Sequence, residues 1–154
     1  MIKAKIKFPN KNISEKKIKN FFLNIGLKKF ISKINYYIDG YEVTKKDLLD
    51  KKKDKKNNFD IRLTKNPQPP ELRDLYRLYQ FIVLNKRTTV LEFGCGYSSV
   101  VISKALEFNR KINLEAKPFT RCEFPFTHFI LDDDKKYLKL SKKRINLFIK
   151  KPRA

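Results

Sequence analysis

TTVLEFGCGYSSVVIS, residues 88–103, decides how this chain is read. An apolar, β-branched run ends at Glu92, glycines follow at 94 and 96 with Cys95 between them, and Tyr97 then leads into helical spacing. Val100, Val101, Ala105, Leu106 and Phe108 supply the apolar positions of that helix. A strand running through a Gly-x-Gly turn into a helix opens a doubly wound α/β unit. Glycine lets backbone approach a ligand where a Cβ would collide. A pyrophosphate ligand would want a third glycine, where Ser99 stands, and would be repelled by an acid just ahead of the loop. Both departures favour a ligand with a cationic end.

Further on, FTHFILDDDKKYLKLSKKRINLFIKK (126–151) repeats the form. An apolar strand ends in three acids, and Leu138, Ser141, Ile145 and Phe148 share one face of the helix behind it. Asp133 and Asp134 stand where a helix N-cap is needed. The segment between the two units contains Pro118 and Pro125 and reads as an irregular insertion. Ahead of the first unit, Pro69 and Pro70 introduce a helix whose stripe is Leu72, Leu75, Tyr76, Tyr79, Ile82 and Val83. Residues 1–66 read as a basic, mainly helical extension and linker, and 67–154 as the α/β part. In the extension, helical spacing runs from Ser14 to about Ile34 with a break near Gly26. A short hairpin follows over NYYIDGYEV (35–43), and Thr44 and Asp47 are spaced to cap a short helix.

Composition narrows the partners. At 154 residues the chain has room for one modest core. It holds no 18-residue apolar run, so no membrane span is expected, and charges interrupt MIKAKIKFPNKN too often for an export signal. Cys95 and Cys122 form neither a disulfide framework nor a metal spacing, which places the chain in a reducing cytoplasm. The net charge of +21 invites a nucleic-acid partner. Yet 29 of the 37 basic residues are lysine and only 8 arginine, they run along the whole chain, and an AT-rich genome would produce the same excess.

VLEFGCGYSS (90–99) resembles the first motif of the class I S-adenosylmethionine-dependent methyltransferases, an acid followed by x-Gly-x-Gly at the end of the first strand. The resemblance implies a partial Rossmann-like methyltransferase core of the α/β class, with S-adenosylmethionine as cofactor. It assigns Glu92 to the methionine end of the cofactor and Gly94 and Gly96 to its lining, with Cys95 and Tyr97 as loop neighbours. FILDDDKKYLKLSKKRI resembles the family's second strand and helix, which gives Asp132 the ribose hydroxyls and puts Asp133 beside it. Asp132 lies 40 residues after Glu92, where about 20 is usual. Glu115 is nearer that interval, but Pro118 follows at once and no helix fits behind it, so Asp132 is preferred.

The resemblance covers about residues 71–150, only the opening half of the family's domain. The strand and loop that would place the methyl acceptor do not follow, so the acceptor is unassigned and the chain reads as a fragment of a longer enzyme. A first strand left at the edge of its sheet, with Val90, Leu91 and Phe93, invites a partner chain or self-association. Three other readings stand beside this one: a non-enzymatic basic nucleic-acid binder, a dinucleotide oxidoreductase, and an interaction module that keeps the shape without the chemistry. His128 reads as a packing residue, and Cys95 has no neighbouring base to make it a nucleophile.

Overall fold

The computed structural model describes residues 6–10, 12–32, 36–38, 41–43, 70–112 and 124–149. It is a mixed α/β chain with nine elements among them: α1 (Glu15–Asn24), α2 (Lys28–Ile31), β1 (Tyr36–Ile38), β2 (Tyr41–Val43), α3 (Leu72–Leu84), β3 (Thr89–Phe93), α4 (Tyr97–Ile112), β4 (Thr127–Leu131) and α5 (Lys135–Phe148). Two compact units result, one of Asn12–Tyr76 and one of Met1–Lys11 with Arg77–Ala154. The expected boundary at residues 66 and 67, Glu115, Cys122 and the helix capped by Thr44 lie outside the described residues.

In the Asn12–Tyr76 unit, the break expected near Gly26 is a helix stop. Gly26 sits at φ +80°, the Leu27 N–H bonds the Phe22 carbonyl and the Gly26 N–H bonds that of Leu23. That pair of bonds closes α1 in a Schellman turn, whose left-handed residue is normally glycine. Ile18, Phe22, Leu27 and Phe30 are buried in consequence, and Phe21 sets its ring edge-on to Tyr76 at 4.9 Å. β1 and β2 pair antiparallel with Tyr36 opposite Val43, as the hairpin reading expected.

The other unit carries the α/β part. α3 ends in the same kind of turn, with Lys86 at φ +48° and the Arg87 N–H on the Ile82 carbonyl, and this redirects the chain into β3. β3 and β4 pair parallel in register from Thr89 opposite Thr127 to Phe93 opposite Leu131, with α4 between them in sequence. α4 packs on both strands and on α5. Val100, Val101, Ala105 and Leu106 are buried as the spacing predicts. Phe108 departs from that expectation: it is exposed and only its ring, 6.4 Å from Tyr79, reaches the core. On α5, the helix-facing stripe includes the buried Ser141, and Asp134 caps the helix by accepting from the Lys136 N–H at 2.7 Å.

Strand alternation sends Val90, Glu92, His128 and Ile130 toward α4 and leaves the other face bare. On that face Leu91, Phe93, Phe129 and Leu131 are 52%, 77%, 46% and 54% exposed. Among the described residues no third strand continues the sheet.

Fully buried Asn109 ties these elements together: its Nδ2 donates to the Ile82 carbonyl at 3.1 Å and the Arg87 carbonyl at 2.9 Å. Both acceptors lie where α3 gives way to β3. Replacing Asn109 with Ala takes one of two donors from the Ile82 carbonyl and the side-chain donor from that of Arg87, and urea denaturation is expected to show a loss of about 1–3 kcal/mol.

Candidate functional site

The site lies at the carboxyl ends of β3 and β4, where parallel pairing brings two distant stretches of sequence together. The Gly94 N–H bonds the Leu131 carbonyl at 2.7 Å, which carries the ladder one step past both strands. Beyond that step the Cys95 N–H donates to Asp132 Oδ2 at 2.7 Å, and Asp132 Oδ1 accepts the Asp134 N–H at 2.9 Å. One carboxylate therefore joins the glycine turn to the start of α5. Tyr97, first residue of α4, lies under the Arg144 guanidinium, 4.9 Å from its ring centroid. Glu92, Gly94, Cys95, Gly96, Tyr97, Asp132 and the exposed Asp133 are all gathered at these strand ends.

Glu92 takes a place the sequence did not foretell. Its residue parity on β3 turns it beneath the loop toward α4, where Ser98 Oγ donates to Oε1 at 2.5 Å and Ser99 Oγ to Oε2 at 2.7 Å. His128, on the same face of β4, brings Nε2 to 3.1 Å from Oε2, off the line of a good hydrogen bond. Its Nδ1 lies 2.8 Å from Ser103 Oγ. The Gly96 N–H meets Ser99 Oγ at 3.1 Å, the backward half of a capping box. The carboxylate thus anchors the first turn of α4, where negative charge suits the helix dipole.

These contacts set the charge states. Burial works to raise the Glu92 carboxyl, but the approach of His128 and the hydroxyls of Ser98 and Ser99 outweigh it, and its pKa lies below the ordinary value. Asp132 is also lowered, first by its contact with Cys95 and then by the Asp134 N–H. Desolvation, followed by the Asp132 and Glu92 carboxylates, pushes the Cys95 thiol up to about 12. Cys95 is thus a neutral thiol at physiological pH and no nucleophile.

The glycines differ in what requires them. Gly94 has φ +78°, a conformation that L side chains rarely adopt. Gly96 has no positive φ, and a Cβ built on it meets no atom within 4 Å. Neither backbone strain nor packing among the described residues calls for glycine at 96, and the space above it is open.

No family model, curated protein or solved structure matches this chain. Among the described residues no cluster of His, Cys, Asp and Glu could hold a metal ion, and no helix is long and apolar enough to cross a membrane.

The partners of Glu92 escaped the sequence reading. Ser99 and Ser103 are four residues apart on α4, and His128 shares strand parity with Ile130, so each was locatable on a face. Only the strand register brings those faces together.

Two expectations follow. Gly94→Ala is expected to cost about 1–2 kcal/mol in urea denaturation from its left-handed backbone alone, and Gly96→Ala less, under about 1 kcal/mol, for the poorer helix cap that alanine makes. Because Glu92 and Asp132 have lowered folded-state values, their stabilisation is complete above the unfolded carboxyl range, about 3.9–4.3, and disappears as pH falls through the folded values. Unfolding followed from pH 7 to pH 3 should show that loss, and Glu92→Gln should make it shallower.

Proposed function

We propose that this chain is a partial Rossmann-like methyltransferase core that binds S-adenosylmethionine above the Gly94–Gly96 turn and serves methyl transfer to an acceptor. Gly96 carries the reading. It stands at the tip of a parallel strand with open space above it, and among the described residues nothing needs a bare backbone there. A ligand lying against the turn supplies that need.

Asp132 fits the ribose role. One oxygen accepts the Cys95 N–H and the other the Asp134 N–H, the Cys95 thiol lies against the same group, and an ionised carboxylate, acceptor only, suits hydroxyl donors. Glu92 supports the cofactor less directly than the resemblance implies. Its oxygens are engaged by Ser98, Ser99 and His128, so it acts as a positioning residue that holds the turn and the helix start. The same placement weighs against a dinucleotide. A pyrophosphate seeks a helix N-terminus, and here that end already holds a carboxylate. A sulfonium cofactor with no phosphate escapes this repulsion. Methyl transfer is an in-line displacement governed by orientation, so a turn held this firmly suits it.

The +21 charge sustains one rival, a nucleic-acid binder without cofactor chemistry. Calorimetry separates the two. S-adenosylmethionine and its demethylated product are expected to bind the wild type, with NADH giving no signal. Asp132→Ala is expected to weaken cofactor binding about tenfold, the worth of a charge-assisted hydrogen bond, and Gly96→Val to block it while the chain still unfolds cooperatively in urea. Unchanged binding in both variants overturns the assignment, and salt-sensitive RNA binding with no cofactor signal establishes the rival.

A further inference from the structure

At the other end of α4, away from the glycine turn, a cavity of about 270 Å³ opens between α4, the start of β4 and the end of α5. Its apolar wall includes Phe126, Ile145 and Ile149, and its polar wall Ser103, His128 and Arg110. We propose that this cavity binds a small amphiphilic monoanion of the short-chain carboxylate type, with its tail among the apolar residues and its charge on Arg110.

Three observations carry this. The first is charge. Glu107, also on the wall, is engaged by Lys104 at 2.7 Å and Lys111 at 3.2 Å, and burial notwithstanding its carboxyl is held below the ordinary value. Arg110, in the last turn of α4, has no ion-pair partner among the described residues. The local excess is therefore positive and centred on a guanidinium suited to carboxylates. The second is that the polar wall is built into the fold. The His128 side chain is only 7% exposed, and Ser103 Oγ holds its Nδ1 at 2.8 Å. The same hydroxyl lines the cavity. The third is Phe126. It lines the cavity and has φ +61°, an outlying conformation for a bulky residue. At roughly 30 Å³ per water-sized group the volume suits about nine such groups, so hexanoate, with eight non-hydrogen atoms, serves as a probe.

The site is separate from the turn proposed for S-adenosylmethionine and stands or falls without it. His128 is the chain's single histidine, so its imidazole signals in NMR report the cavity wall without ambiguity. Titration of the full chain with sodium hexanoate is expected to shift those signals saturably, with nuclear Overhauser contacts from the hexanoate methylenes to the Phe126 ring. Hexylammonium at equal ionic strength is expected to give no saturable shift, and Arg110→Gln to weaken hexanoate about tenfold. A hexanoate titration that never saturates overturns the proposal, as does an equal response to hexylammonium or an unchanged affinity in Arg110→Gln. The comparison of the two probes on the wild type decides the question even if that variant does not fold.

Discussion

The carboxylate of Glu92 is the point on which strand, helix and neighbouring strand converge. A largely buried charge is tolerated only when its lone pairs are answered, and here two serine hydroxyls answer them, with an imidazole nitrogen 3.1 Å away. Because Ser98 and Ser99 open α4, the same contacts fix where that helix starts and how the glycine turn enters it. Cys95 and Gly96 then present their N–H groups to Asp132 and Ser99, so the second strand is bound to the turn through side chains as well as through the ladder. A change at Glu92 reaches every one of these groups.

The sheet around this centre is small and one-sided. Parallel strands are normally covered on both faces, and this pair has helices on one and four large apolar side chains open on the other. The order of the site therefore depends on a few strong polar contacts and on α4, whose buried residues and Asn109 bind it to β3 and the end of α3. The two ends of one helix differ. The amino end of α4 meets a carboxylate beneath an open turn, and toward its carboxyl end Arg110 lines a cavity with both polar and apolar walls. His128 stands between them, facing Glu92 with one nitrogen and Ser103 with the other.

Much of the fold was legible from periodicity. β3, α4, β4 and α5 appear where period-two and helical patterns placed them, the break at Gly26 is a left-handed helix stop, and the Asp-Gly hairpin pairs as expected. Phe108 was misplaced because helical spacing gives a stripe and not its width, and this residue falls at the margin, where α4 leaves the core. The gathering of Glu92, Gly94, Cys95, Gly96, Tyr97, Asp132 and Asp133 was legible because ends of adjacent parallel strands must lie together. The direction of Glu92 was not. An acid at a strand end can point into the crevice or under it, and the choice rests on which strand face the helix covers.

By itself the sequence determined the residue types available and the local geometry, for those depend on neighbours within a few positions: a strand, a Gly-x-Gly turn, a capped helix, and the same series again. Only the tertiary structure decided which oxygen meets which donor. Ser98, Ser99, Ser103 and His128 become partners of one network through the pairing of β3 with β4 and the docking of α4 upon both. A shift of one residue in that register would send every side chain of a strand to the opposite face.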